Sequence, residues 1–438
     1  MHLDLEPGAG PLRGELRPPG DKSISHRAVL FAALAQGTSE IHGFLDAADT
    51  RATLAACRAL GAGVDEVAGR LVIRGAGLAA WRLPEAALDL GNSGTGARLL
   101  LGALAPSPVT ATIIGDESLS RRPMDRVIEP LARMGADFTA RDGRFLPVTV
   151  RGRPLTGCRH DLPVASAQVK SALLLAGLHA AGLTVIREPG PSRDHSERLL
   201  ADFGARLRRD GLQVAVEGGQ RLRAAPVAVP ADLSSAAFMI VAATLNPGSE
   251  IVLREVGVNP SRTGIIDLLR RMGGDITIEP RPGGAEPRAD LVVRGAPLKA
   301  IEIEHDDVVR SIDELPVLMV AAALAEGTTR IRGAAELRVK ESDRLAVMCR
   351  GLAALGVDLT EYPDGVDIAG RPGGDRLRGG VVDGAGDHRC AMSFAVLATR
   401  LGAPLTVTGA AQIATSYPAF AADIAALGVR IEVRRAPA

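Results

Sequence analysis

One short pattern recurs six times along a chain of 438 residues: an apolar helical turn, a glycine, then a strand-like run. The copies read ACRALGAGV, LARMGADF, LLADFGARL, LLRRMGGDI, LAALGVDL and IAALGVRI, with glycines at Gly61, Gly135, Gly204, Gly273, Gly356 and Gly428. Successive gaps are 74, 69, 69, 83 and 72 residues. Glycine just past the last helical turn adopts the left-handed conformation without a Cβ clash, so each copy marks a helix end. Before each copy stands an Ala/Leu-rich helix, apolar on nearly every face and therefore buried, with a short β-like run after it. The unit is helix–strand–helix–strand, with a period longer than that of the common solenoids. A chain of this length exceeds one ordinary core, so six units are expected to form two globular domains of three.

Pro18-Pro19-Gly20 and Val229-Pro230-Ala231-Asp232 break the chain before the first and fourth units. Cutting there predicts a domain of residues 19–232 with units one to three. Units four to six form a second domain, residues 233–438, which residues 1–18 return to complete. The two crossing segments lie near 18–20 and 229–232.

Lys plus Arg and Asp plus Glu both total 51, so any anion site is local and global attraction to nucleic acid is not indicated. One Trp, two Tyr and eight Phe are few from which to build base-stacking platforms. No apolar run reaches a membrane span, and MHLDLEPGAG carries no signal-like apolar stretch; a soluble cytoplasmic protein is expected. Cys57, Cys158, Cys349 and Cys390 are scattered, and the eight histidines lack ligand spacing, so neither disulfides nor a metal site is expected.

Only four of the cations are lysines: Lys22, Lys170, Lys299 and Lys340. Three of them fall in the polar stretches GDKSISHR, ASAQVKSA and RVKESDR. Polar residues of this kind gather at helix starts throughout the chain, where free N–H groups and a partial positive charge favour anions. Lys22, Arg122, Arg193, Lys340, Arg344 and Arg389 at such starts make sense if several phosphate or carboxylate groups bind between the domains. Lys340 and Arg344, four residues apart, are expected on one helical face turned to such a ligand. Asp313 reads more simply as an N-cap before an apolar helix, Asp387 as a cap, and Cys390 as a small core residue. GDKS lacks the glycines of a P-loop, and GNSGTG has the spacing G-x-x-G-x-G, which is not the dinucleotide fingerprint, although it suits an anion nest.

The ordered motifs GDKSISHR, LGNSGTGAR, GDESLSRRPMDR, ASAQVKSALLLAGL, DELPVLMVAAALAEG, LRVKESDRL, DHRCAMSF and IATSYPAF run nearly the full length. In them the chain resembles the 5-enolpyruvylshikimate-3-phosphate synthases, in a divergent bacterial branch. The resemblance implies an α/β fold: the two-domain, pseudo-threefold inverted α/β arrangement of the enolpyruvyl transferases. It implies transfer of the enolpyruvyl group of phosphoenolpyruvate to the 5-hydroxyl of shikimate 3-phosphate by addition and elimination, on the route to aromatic amino acids. No cofactor or metal is implied, and a monomer is expected. Carried over residue by residue, Lys22, Ser23, Arg27, Ser166, Ala167, Gln168, Arg193, Asp313 and Lys340 would hold shikimate 3-phosphate. Lys22, Gly94, Arg122, Gln168, Arg344 and Arg389 would hold phosphoenolpyruvate. Asp313 would be the base for the 5-hydroxyl, with Glu341 and Lys22 serving the methylene carbon and the leaving phosphate. Thr415 stands where many members carry Lys, and Glu336 where many carry Asn. Gly94 would leave room for glyphosate.

Two rival readings remain at this stage. A UDP-N-acetylglucosamine enolpyruvyl transferase would share the fold, but it typically presents a loop cysteine that GDESLSRRPM lacks. A non-catalytic anion-binding protein has no need of Lys22, Asp313 and Glu341 together.

Overall fold

The computed structural model describes residues 1–374 and 377–434. All six repeat glycines lie at positive φ, between 84° and 111°, each closing a helix as its position in the pattern requires. Among the described residues there are six sheets of four strands with one plan. In the third, Arg159–Asp161 lies parallel to Leu183–Arg187, which pairs antiparallel with Gln213–Glu217, which pairs antiparallel with Leu207–Asp210.

The chain divides into two compact units. Unit I is Gly20–Val229 with Gly283–Glu286, and unit II is Met1–Pro19, Pro230–Pro282 and Pro287–Ala438. At the crossings Pro19 and residues 230–232 fall in unit II rather than with 20–229, and the larger difference is residues 283–286, which the sequence division placed with 233–438. Burial explains it: Glu286 Oε1 lies 2.7 Å from Nδ1 of His195, and both residues are under 5 % exposed. In unit I, Val227–Ala228 supplies the parallel edge of the first sheet, against Gln36–His42. In unit II, Arg13–Leu16 supplies the same edge against Glu250–Gly257. His2–Leu5 lies between Leu405–Thr408 and Ile431–Arg434, filling the place of the second hairpin strand of the sixth sheet. Each unit has its own apolar core.

The first helix of each repeat is the buried one. Every residue of Leu233–Leu245 is buried, and so are residues 24–34 of Lys22–Leu34. Burying a helix on all faces leaves its first N–H groups away from water, so they need protein partners. Asp21, Ser93, Ser166, Asp232 and Asp387 supply them, accepting from Ile24, Gly96, Val169, Ser234 and Arg389. The remaining one, Leu315–Ala323 of the fifth unit, has Glu314 at its N-cap and no side-chain cap bond. Asp313 is therefore not the cap expected of it. No helix among the described residues is long and apolar enough to cross a membrane.

Candidate active site

In unit I the polar helix starts are brought together by close backbone packing. A Cβ on Gly102 would lie 2.3 Å from the Ala172 carbonyl oxygen, so Gly94–Leu104 and Ala167–Gly177 touch backbone to backbone. That contact sets Gln168 against the first turn of the other helix. Its Oε1 accepts from Arg98 at 2.9 Å, and its Nε2 donates to Thr95 Oγ1 at 2.9 Å. Arg98 also donates to the Pro123 carbonyl at 3.1 Å, tying in the segment that carries Arg122. Arg122 donates to Asn92 Oδ1 at 2.6 Å and Ser118 Oγ at 3.1 Å. Gly94 sits between the two guanidinium groups: a Cβ there would come within 2.9 Å of Arg98 and 3.4 Å of Arg122.

Lys22, half-buried at the head of its helix, pairs with Asp49 Oδ2 at 3.0 Å. Arg27 is only 2 % exposed, one turn deeper. It donates to Ser196 Oγ at 2.7 Å, the Ser23 carbonyl at 2.9 Å and Ser171 Oγ at 2.9 Å. Burial lowers its pKa to about 10, against the opposing pull of Glu197 and Asp21. Between these cations lies His26, 1 % exposed, with Nδ1 2.8 Å from Thr53 Oγ1 and Nε2 3.4 Å from Ser93 Oγ. Burial, and then Lys22 and Arg27, push its pKa down to about 3, so it is a neutral ring. Ser166 caps its helix, and the half-buried Arg193 lies just before helix His195–Asp202.

In unit II the centre is Arg344. Gly351 lets helix Arg344–Ala354 press against Phe394, where a Cβ would lie 2.2 Å from the ring. Arg344 is thereby buried beside the start of His388–Ala398. Its Nε donates to Asp387 Oδ2 at 2.8 Å, one terminal nitrogen to Glu341 Oε2 at 2.6 Å, and the other to Asp313 Oδ1 at 3.3 Å. Burial alone would lower its pKa; the three carboxylates outweigh that and raise it, so the charge is held. Arg389 donates to the Asp313 carbonyl at 3.1 Å, and its Nε lies 3.8 Å from the Asp313 carboxylate. Two guanidinium groups thus hold Asp313 away from the capping position. Each guanidinium carries a full positive charge, where capping would offer the carboxylate only a backbone N–H.

Lys340 corrects a second expectation. It follows the short helical turn Ala335–Val339, while the next helix begins only at Arg344 with Asp343 as its cap, so the two cations do not share a helical face. Lys340 pairs with Glu336 at 3.3 Å. The negative charge that makes a buried arginine tolerable at this helix start is the protein's own. Cys390 is fully buried and its pKa is pushed well up by burial, as a core residue. Thr415 turns its hydroxyl to the Gln412 carbonyl at 2.7 Å.

Reading the sequence missed Arg98, Asp49 and Glu188. Arg98 lay within a quoted motif, four residues after Gly94, the spacing of one helical face. Asp49 and Glu188 carried little local signal, because Lys22 lies 27 residues from the first and Ser166 22 residues from the second.

The model of the EPSP synthase (3-phosphoshikimate 1-carboxyvinyltransferase) family matches residues 7–424. The chain belongs to this family. It is 54 % identical over 423 residues to the 3-phosphoshikimate 1-carboxyvinyltransferase of Alkalilimnicola ehrlichii, covering 96 % of this chain and 94 % of that one. It is 52 % identical over 432 residues to that of Halorhodospira halophila, covering 98 % and 96 %. Among solved structures, an EPSP synthase from Acinetobacter baumannii superposes with a TM-score of 0.90 at 42 % identity, over 99 % of this chain and 100 % of that one. The enolpyruvyl transferase NikO from Streptomyces tendae, 23 % identical, shares the fold with a TM-score of 0.80, covering 100 % of this chain and 99 % of that one. The fold is the two-domain α/β fold of the enolpyruvyl transferases.

Proposed function

We infer that the enzyme transfers the enolpyruvyl group of phosphoenolpyruvate to the 5-hydroxyl of shikimate 3-phosphate and releases phosphate. The observation that carries this reading is Asp313, a carboxylate set against Arg344 and Arg389 and spared from capping its helix. Guanidinium groups draw an anionic substrate to the same place. Asp313 takes the proton of the 5-hydroxyl as that oxygen bonds to the central carbon of phosphoenolpyruvate, while the methylene carbon gains a proton. The tetrahedral ketal phosphate then loses a proton from the new methyl group, and phosphate leaves. Glu341 and Lys22 serve the methylene carbon and the departing phosphate.

Lys22, Ser23, Arg27, Ser166, Ala167, Gln168, Arg193, Asp313 and Lys340 hold shikimate 3-phosphate in this reading. Arg27, buried at 2 % exposure, contributes charge and order more than open surface. Lys22, Gly94, Arg122, Gln168, Arg344 and Arg389 hold phosphoenolpyruvate, for whose carboxylate and phosphate bidentate forks are suited. Arg344 then exchanges a protein carboxylate for that of the substrate. The enzyme acts as a cytoplasmic monomer, and glyphosate competes with phosphoenolpyruvate beside Gly94.

Phosphate release, measured with phosphoenolpyruvate and either acceptor, tests the reading. Shikimate 3-phosphate should support turnover in the wild type and Asp313→Ala should lose about two to four orders of magnitude, as for a general base. Turnover with UDP-N-acetylglucosamine alone, or an undiminished Asp313→Ala enzyme, refutes it.

A further inference from the structure

Lys170 and Glu188 are assigned to neither substrate, yet both lie directly behind residues that are. Lys170 is 4 % exposed, and its Nζ sits 2.8 Å from Glu188 Oε2 and 2.9 Å from Glu197 Oε1. Glu188, 5 % exposed, accepts two more hydrogen bonds: the Ser166 N–H on Oε1 at 3.0 Å and the Ser192 hydroxyl on Oε2 at 2.9 Å. One carboxylate therefore joins the cap of helix Ala167–Gly177 to the segment just before Arg193. The same cluster reaches the first helix, because Ser196, next to Glu197, takes a bond from Arg27 and lies 2.6 Å from Ser171 Oγ. Arg27 and Lys170 balance Glu188 and Glu197 in charge.

A buried ion pair seldom stabilises a fold more than apolar groups of equal volume would. What it supplies here is direction. The lysine fixes the glutamate's rotamer, and an ionised carboxylate can accept from both segments at once. We propose that Lys170 and Glu188 are positioning residues, which hold the Ser166 backbone and the Ser192–Arg193 segment at the separation that shikimate 3-phosphate requires. The proposal rests on the assignment of Ser166 and Arg193 to that substrate. Glutamine at position 188 would keep one acceptor and turn an NH₂ group toward the Lys170 ammonium, so one of the two segments loses its anchor.

Steady-state kinetics on the full chain test this, with thermal melting followed in parallel. Glu188→Gln should raise KM for shikimate 3-phosphate about tenfold, the loss of one hydrogen bond to a charged group. Its kcat and its KM for phosphoenolpyruvate should stay within about twofold, a split that general loosening of the fold would not produce. Ser192→Ala, which removes a single bond at a half-buried residue, should raise the same KM about threefold without changing the melting temperature. Ser192→Ala decides the question if Glu188→Gln does not fold. An unchanged KM for shikimate 3-phosphate in the folded variants overturns the positioning role, provided Arg193→Ala does raise it. An unchanged KM in Arg193→Ala overturns the substrate assignment, and the positioning role with it.

Discussion

His26 ties the stability of unit I to pH. Its ring is buried between Thr53 and Ser93, with Lys22 and Arg27 on its own helix, and its folded pKa is about 3. In the unfolded chain an imidazole titrates near 6.5. The folded value is the lower one, so the fold favours the neutral ring. Stability from this group is complete above the unfolded pKa and is lost as pH falls toward the folded one. Between pH 7 and pH 5 the unfolded chain takes up about 0.7 of a proton at this site and the folded chain almost none. Integrating the linkage relation over that interval gives a loss of about 2 kcal/mol. His160 and His179 are also shifted down by burial, to about 4, and add losses of the same sign. The contribution of His26 is therefore read as a difference from His26→Gln. Trp81, the chain's single tryptophan, is buried in the core of unit I and reports unfolding there by fluorescence. Urea unfolding at pH 7 and pH 5 should show the wild type losing about 2 kcal/mol more than the variant. Parallel losses would show that His26 is protonated, or solvated, in the folded state.

Gly94→Ala should press on Arg98 and Arg122 and raise KM for phosphoenolpyruvate by about tenfold, with glyphosate inhibition weakened alongside; initial-rate kinetics check both. Arg344→Leu leaves the fully buried Asp387 facing Glu341 and Asp313 with no guanidinium at the centre. It should cost about 3–5 kcal/mol in denaturant unfolding, besides abolishing turnover. Gly204→Ala meets no neighbour within 4 Å but holds φ at +84°, so backbone strain alone should cost about 1–2 kcal/mol, read by Trp81 fluorescence.

The six-unit fold was legible because a left-handed helix end needs glycine, and six such glycines at near-regular spacing leave few alternatives. Capping was legible at Asp387 and the polar helix starts for the same local reason. It misled at Asp313, where two arginines from positions 344 and 389 outcompete the helix's own N–H groups. Those arginines are 31 and 76 residues away, and no local rule weighs them. The placing of Lys340 and Arg344 on one helix failed similarly: Asp343 caps first, and the cation before it falls outside. In the site, residue types could be read; their pairings could not. Asp49 opposite Lys22, or Glu188 between Ser166 and Ser192, exists only once distant segments have folded together.

The threading of His2–Leu5 between two far later strands constrains the order of events during synthesis. His2–Leu5 hydrogen-bonds on both sides to strands ending at Thr408 and Arg434, so this segment must wait for partners translated long after it. At ~5–20 residues per second that interval is on the order of 20–90 s. Through most of it, His2–Leu5 is an unpaired β-segment whose intended neighbours are still untranslated. Unit I needs little from beyond residue 229 and can mature meanwhile. A ribosome-stalled intermediate should therefore protect that unit from protease while the His2–Leu5 segment stays open to cleavage.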